Sequence, residues 1–178
     1  MRHYYFDIET TGFDPHKDKI ITFQCQELSQ VSGTPLTKLL IAKEWDGDCS
    51  EGRILEWIKE LLVDQLFWKF VPVGNNLIFD LSFIAARMRI YFDVDFLMQL
   101  INRPFIDIKY VLIMINGGYF KNYNRMIGKE GFGSDVPIWY QKGQYEKIVD
   151  YIEMEARAFM RTYGILKRNL PGLGGLIA

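Results

Sequence analysis

Two carboxylates stand close together inside an apolar run near the beginning of the chain. Asp7 and Glu9 lie in the stretch 4–9, whose tyrosine, phenylalanine and isoleucine residues are typical of a buried β-strand. Residues two apart on a strand point to the same face, so both acids project together. Such a pair is costly without a counter-charge, and a divalent cation such as Mg²⁺ binds carboxylate oxygens well. A strand that simply meets solvent would show the same pattern, so further segments must decide.

A second acid follows another apolar strand, in the segment 74–84. Asp80 lies where the predicted strand 67–73 has ended and a helix begins. A carboxylate at that position either interacts with the helix dipole or contributes to an acidic site. Asn76, four residues earlier, has a side chain that could orient the loop or the carboxylate. Phe79 could pack beneath the acid or against a nucleic-acid base.

The C-terminal helix contributes the third segment. Tyr151 and Glu155 are four positions apart, so a phenol and a carboxylate share one face of the helix. Glu146 and Glu153 are interpreted as acids that face water. Tyr145 and Asp150 form an alternative pair, ranked second because residues five apart diverge around a helix.

Periodicity predicts one α/β domain spanning residues 1–178. Its first three strands are expected to form an antiparallel meander, and a helix is expected to follow the N-cap residue Ser50. Residues 169–178, rich in glycine, are expected to be a flexible end or a docking segment for a protein partner. The remaining predictions are strands 3–9, 19–28, 36–42, 67–73 and 105–107, helices 80–89, 95–101 and 109–115, a polar stretch to 143, and a last helix from 144.

The composition limits the class of protein. The 178 residues are 49% hydrophobic and carry a net charge of −1, which disfavours a protein that coats long duplexes by neutralising phosphates. An enzyme that grips a few nucleotides at an end remains compatible with that charge. Two cysteines are too few for a disulfide framework, and neither a signal peptide nor a membrane-spanning run is evident. The expected protein is therefore soluble, cytoplasmic and not associated with a membrane.

Taken in order, the three motifs resemble the DEDD superfamily of 3′-to-5′ exonucleases. The resemblance is to its tyrosine subgroup, which includes the proofreading domains of family-B DNA polymerases. Segments 7–12 and 74–80 match the first two motifs, and segment 148–155 is similar to the third. Glu155 stands where the family pattern has an aspartate. The histidine subgroup is disfavoured because His3 and His16 cannot occupy the C-terminal motif.

The resemblance implies a ribonuclease H-like three-layer fold, with a mixed central sheet flanked by helices. It implies that two Mg²⁺ or Mn²⁺ ions are held by Asp7, Glu9, Asp80 and Glu155, while Tyr151 orients the attacking water. The expected activity is hydrolysis of phosphodiester bonds at the 3′ ends of single-stranded DNA or RNA. Candidate substrate-binding residues are Thr10, Thr11, Gly12, Phe13, Asn76 and Phe79, with Lys121, Arg125 and Lys129 as further candidates for phosphate contacts.

Two other functions remain open from the sequence. One is a catalytically weak or inactive module that uses a nuclease fold to bind nucleic acid or a partner protein, because Glu155 departs from the family pattern. The other is a ribonuclease H-like nuclease that cleaves internally. Whether the last metal ligand is Glu155 or Asp150 also remains open.

Overall fold

The computed structural model of the protein describes residues 1–119 and 133–170. Within these residues a single five-stranded sheet has the order β3-β2-β1-β4-β5. Its strands are β1 (His3–Thr10), β2 (Ile20–Leu28), β3 (Leu40–Lys43), β4 (Val71–Gly74) and β5 (Ile106–Asp107). β1 and β3 both pair antiparallel with β2, whereas β1–β4 and β4–β5 are parallel. The predicted mixed sheet, an antiparallel meander followed by parallel strands, is confirmed.

Helices cover both faces of this sheet. Their bounds are α1 (Glu51–Leu62), α2 (Leu77–Phe92), α3 (Leu97–Ile101), α4 (Ile108–Ile115), α5 (Val136–Gln141) and α6 (Tyr145–Asn169). One apolar cluster joins the sheet to α1 and α2, and another joins it to α4 and α6. The result is the three-layer arrangement of helices, sheet and helices.

The alternation of side chains along β1 divides these two clusters. Phe6 and Ile8 belong to the core shared with α1 and α2, whereas Tyr5 belongs to the cluster shared with α4 and α6. Because side chains on a strand alternate between faces, Asp7 and Glu9 lie on the same face as Tyr5. The central strand of the sheet therefore directs its two acids toward α6.

The structure corrects the predicted start of β4. Residues Phe67–Lys69 form a short 3₁₀ helix, and the strand begins only at Val71. Leu66, Phe67 and Trp68 are exposed, by 72%, 38% and 58% respectively, so this part of the apolar run is not a buried strand. Local composition misled the prediction because an exposed apolar turn and a buried strand contain the same residue types.

Other boundaries shift by a few residues. β3 begins at Leu40 rather than at residue 36, because its ladder with β2 covers only Thr22–Cys25. α2 begins at Leu77, three residues before Asp80. The stretch predicted to be polar and irregular contains α5, which a proline near its first turn favours.

The last helix ends at Asn169, so the predicted loose end at 169–178 begins with helical residues. Residues 171–178 lie outside the part of the chain that the structure describes, and the docking role predicted for them stays a prediction. Cys25 and Cys49 are free thiols. Among residues 1–119 and 133–170, no helix combines the length and apolar character required to cross a bilayer.

Candidate active site

Three acids from two elements meet at the carboxyl end of β1. Asp7 and Glu9 come from the strand, and Glu155 comes from α6, which packs over the same face of the sheet. One carboxylate oxygen from each residue lies within 4.8 Å of those of the other two. All three side chains are partly accessible to solvent. We call these three residues the acidic triad.

Asp80 approaches the acidic triad from α2. It lies in the first turn of that helix and is only 5% exposed. Burial raises the pKa of Asp80 well above its usual range, and the charges of Asp7, Asp107 and Glu155 raise it further. The structure therefore brings the fourth predicted ligand into the electrostatic field of the triad, although the triad itself comprises only Asp7, Glu9 and Glu155.

Tyr151 lies one turn before Glu155 on α6, as the four-residue spacing predicts. It is 5% exposed, and its ring packs edge-on against Trp139 at 6.0 Å between centroids. Burial raises the pKa of the Tyr151 hydroxyl strongly, as do the charge of Glu155, the charge of Glu9 and a hydrogen bond with Glu155. The phenol consequently stays protonated at neutral pH and can act by hydrogen bonding rather than as a base.

The chemistry of the donor set fits a divalent cation. Carboxylate oxygens are the ligands that Mg²⁺ and Mn²⁺ prefer, and three of them converge here from one strand and one helix. Burial raises the pKa of Asp80, and the like charges of its neighbours raise it further, because both disfavour the ionised carboxylate. A bound cation would reverse that penalty. Asp7, Glu9 and Glu155 are thus the residues able to hold a metal, with Asp80 beside them.

Asp18 organises the loop after β1. The predicted residues Thr10, Thr11, Gly12 and Phe13 lie at the end of β1 and in this loop. The backbone N–H of Asp14 and the hydroxyl of Thr11 donate hydrogen bonds to the Asp18 carboxylate, at 3.0 and 3.2 Å. A Cβ at Gly12 would lie 2.4 Å from the same carboxylate, so only glycine permits this close approach. Thr10 donates to the carbonyl of Gly12 at 2.6 Å. These bonds hold the loop in a compact conformation.

Phe13 extends from this loop with 79% of its surface exposed. Its ring lies 6.1 Å from that of Phe79 on α2, at an interplanar angle of 65°. Phe79 in turn packs against Phe83, at 5.8 Å between ring centroids. An exposed aromatic ring supported from below is a surface on which a base can stack.

Asn76 occupies the junction between β4 and α2 in a left-handed conformation, with φ 64°. Its side-chain oxygen accepts a hydrogen bond from Lys109 at 2.8 Å, and its backbone N–H donates to Asp107 at 2.9 Å. Asp107 also accepts from the backbone of Leu77 at 2.9 Å and caps α4 through Lys109. This asparagine therefore has a structural role at the start of α2, in addition to the contact with substrate predicted for it.

The alternative pair on α6 lies elsewhere. The ring of Tyr145 stacks on Trp45, with 4.7 Å between centroids and 10° between planes. Asp150 lines a surface groove together with both of these residues and Lys43. The structure thus places Glu155, not Asp150, in the acidic triad. The predicted phosphate contacts of Lys121, Arg125 and Lys129 fall outside the described residues.

Two features of this region escaped prediction. Tyr5 donates a hydrogen bond to Asp7, and the strand period of two could have revealed that both share a face. Glu51 is 3% exposed and pairs with Arg87 at 2.6 Å. Its position after Ser50 resembles an ordinary first-turn acid, so no local pattern could have indicated this long-range pair.

A family model described as the RNase H superfamily matches residues 4–162 of the chain. The chain belongs to the RNase H superfamily. This membership confirms the predicted ribonuclease H-like fold class. A search of curated proteins finds no match.

Solved structures of exonuclease I share the fold of this RNase H superfamily member. The Escherichia coli enzyme in complex with a dT13 oligonucleotide has a TM-score of 0.67 at 12% identity, covering 98% of this chain and 43% of that one. Its zinc-bound complex with single-stranded DNA has a TM-score of 0.54 at 14% identity, with coverage of 68% and 30%. Exonuclease I from Methylocaldum szegediense has a TM-score of 0.52 at 16% identity, with coverage of 65% and 29%. The chain therefore spans less than half the length of these proteins, and the similarity concerns the fold.

Proposed function

We propose that this protein is a metal-dependent 3′-to-5′ exonuclease of the tyrosine type, acting on single-stranded DNA or RNA by a two-metal-ion mechanism. The observation that carries the proposal is the convergence of Asp7, Glu9 and Glu155 within 4.8 Å beside a buried phenol. Residues separated by nearly 150 positions in the chain meet there and form a carboxylate cluster of the kind that holds the ions used in phosphodiester hydrolysis. The exonuclease I structures, whose descriptions include complexes with single-stranded oligonucleotides, share this fold.

Asp7, Glu9, Glu155 and Asp80 would hold the two ions. Mg²⁺ or Mn²⁺, when bound, supplies an activated hydroxide and neutralises charge on the leaving oxygen. Asp7 would take the central place among these ligands, because it lies on the middle strand of the sheet. Glu155 reaches the acidic triad although its side chain is one methylene longer than the aspartate of the family pattern.

Tyr151 would orient the attacking water through its hydroxyl. Its raised pKa keeps the hydroxyl protonated at neutral pH, so the residue holds a water molecule by hydrogen bonding rather than removing a proton. The hydrogen bond with Glu155 directs the phenol toward the carboxylates.

The substrate surface adjoins the acidic triad through the loop after β1. Phe13 and Phe79 would stack against terminal bases, an interaction that tolerates any sequence and suits single strands. The backbone of Thr10, Thr11 and Gly12 would approach the terminal nucleotide. With a net charge of −1, the chain is suited to holding a few nucleotides at an end rather than a long duplex.

A catalytically weak module that binds nucleic acid or a partner protein is the second candidate. Glu155 in place of aspartate favours it, because the longer side chain changes the ligand geometry. Metal titration separates the two candidates: two bound Mn²⁺ ions per chain support the enzyme, and the absence of binding at millimolar Mn²⁺ supports the module.

The decisive experiment follows a 5′-labelled single-stranded 20-mer with Mg²⁺, with Mn²⁺ and with EDTA. The wild-type protein should shorten it stepwise from the 3′ end, and a 3′-terminal phosphorothioate should slow the reaction. Asp7→Asn should lower the rate about a thousandfold, since ion binding contributes several kcal/mol to the transition state.

Asp150→Asn is the matched control, because it removes an acid from the same helix, α6, at a position outside the acidic triad. Its rate should stay within about twofold of wild type. Undiminished activity of Asp7→Asn would overturn the proposal. Cleavage of a circular single strand would instead identify an endonuclease.

A further inference from the structure

We propose that Tyr5 is a positioning residue of the metal site, which orients the carboxylate of Asp7 and, through Phe159, the helix that carries Glu155. The inference rests on the proposed function, because it assigns a role toward the ions that the acidic triad would hold. It adds a second phenol to the site, beside Tyr151 of the proposed mechanism.

The contact with Asp7 is direct. The Tyr5 hydroxyl donates a hydrogen bond to Oδ2 of Asp7 at 3.1 Å. Both residues lie on the same face of β1, two positions apart, so the strand itself sets the distance between them. This hydrogen bond restricts rotation of the Asp7 carboxylate and so helps to direct its other lone pairs toward a cation.

The phenol has little freedom to move away. Tyr5 is 2% exposed, and its ring lies 4.9 Å from that of Phe159 with an angle of 38° between planes. Burial raises the pKa of Tyr5 well above its usual range, as do the charges of Asp7, Glu155 and Glu9.

The same ring links the two elements that supply the acidic triad. Phe159 follows Glu155 by four residues, so the two side chains share one face of α6. Packing of Tyr5 on Phe159 thereby fixes how α6 sits over β1, and with it the distance between Glu155 and Asp7. Groups that orient metal ligands in this way contribute strongly to affinity, and their loss typically weakens binding about 10–100-fold.

Tyr163 provides a matched control. It is also 2% exposed, and its ring stacks on Phe159 at 6.0 Å, but its hydroxyl contacts Nδ1 of His3 at 3.3 Å rather than an acid. Tyr5→Phe and Tyr163→Phe each remove one buried hydroxyl from the same apolar cluster. Only the first removes a hydrogen bond to the acidic triad.

The test measures Mn²⁺ binding by electron paramagnetic resonance on the full chain, a readout independent of nuclease activity. Tyr5→Phe should raise the dissociation constant about tenfold, whereas Tyr163→Phe should leave it within about twofold of wild type. On an Asp7→Asn background, Tyr5→Phe should have no further effect on the remaining binding. The substitution removes only the hydroxyl, and the contribution of the hydroxyl passes through Asp7. Phe159→Leu, which keeps the Tyr5 hydroxyl but loosens its ring, should weaken binding by a smaller factor.

The outcomes are distinguishable. If wild-type protein binds no Mn²⁺, the proposed function fails and the role of Tyr5 fails with it. If wild type binds Mn²⁺, Asp7→Asn weakens that binding, and Tyr5→Phe matches wild type, only the inference about Tyr5 is overturned. Equal weakening by Tyr5→Phe and Tyr163→Phe would also overturn it, since general loosening of the cluster would then be the cause. Should Tyr5→Phe not fold, unchanged affinity in Phe159→Leu overturns the inference.

Discussion

Glu51 and Asp80 are both buried carboxylates, 3% and 5% exposed, yet their surroundings are opposite. Glu51 faces the Arg87 guanidinium, which donates to both of its oxygens at 2.8 and 2.6 Å. It also accepts hydrogen bonds from the Tyr91 hydroxyl at 2.9 Å and from the Ile20 backbone at 2.8 Å. Asp80 instead lies near the acids Asp7, Asp107 and Glu155, and burial together with their charges raises its pKa.

The difference separates a buried charge that the chain balances from one that its neighbours oppose. The chain itself balances the charge of Glu51, which ties α1 to α2 and to the start of β2. Around Asp80, neighbouring carboxylates add repulsion to the cost of burial, an arrangement that a divalent cation would relieve. The two acids are similarly buried, but the charges of the groups around them have opposite signs, and this difference distinguishes them.

Neutralising Glu51 should have the largest effect on stability. Glu51→Gln leaves the Arg87 guanidinium, whose side chain is only 12% exposed, without its counter-charge, and breaking a buried pair costs about 3–5 kcal/mol. Urea denaturation in metal-free buffer measures the change. Glu56→Gln is the control on the same helix, because its pair with Arg53 is exposed and should contribute less than about 1 kcal/mol. Equal effects of the two substitutions on the free energy of unfolding would mean that the pair of Glu51 with Arg87 stabilises the fold no more than an exposed pair does.

Neutralising Asp80 should change stability in the other direction. A carboxyl with a raised pKa binds more protons in the folded state, so the metal-free protein loses stability as pH rises above the ordinary pKa of about 4. Asp80→Asn should remove this loss and stabilise metal-free protein at pH 7.5 by about 1–2 kcal/mol. Mn²⁺ should stabilise the variant less than it stabilises wild type.

Thermal melts of Asp80→Asn with and without Mn²⁺ test both parts of that prediction. Each kcal/mol corresponds to about 2–4 °C in a domain of this size. Asp150→Asn is the control acid outside the acidic triad and should leave the melting temperature nearly unchanged. Destabilisation by Asp80→Asn in metal-free buffer would mean that Asp80 is balanced as Glu51 is.

Substituting His3 should have the smallest effect on stability. This residue extends the comparison from buried acids to a buried base. Burial lowers the pKa of His3, and the positive charges of Lys167 and the N-terminus lower it further. Its stabilising contribution is therefore complete above the ordinary pKa of about 6.5 and is lost as pH falls below that value. The stability difference between pH 7.5 and 5.5 should shrink in His3→Gln and persist in His16→Gln, whose histidine is exposed. An unchanged pH dependence in His3→Gln would contradict this assignment.

Local patterns predicted much of the scaffold but little of its long-range pairing. The meander, the parallel strand β4 and the helical spacing of Tyr151 and Glu155 follow from periodicities of two and 3.6 residues. The 3₁₀ turn at Phe67–Lys69 was missed, because apolar composition does not distinguish a buried strand from an exposed turn. Glu51 and Arg87 are 36 positions apart, and no periodic pattern in the sequence indicates that they pair.

By itself, the sequence determined which side chains share a face: Asp7 with Glu9 on a strand, and Tyr151 with Glu155 on a helix. Those relations depend only on backbone geometry, which is the same in every strand and every helix. Tertiary structure alone decided that Glu155 rather than Asp150 joins the two strand acids, that Asp80 is buried beside them, and that Tyr5 contacts Asp7. The reason is that the docking of α6 and α2 onto the sheet depends on the packing of distant apolar residues.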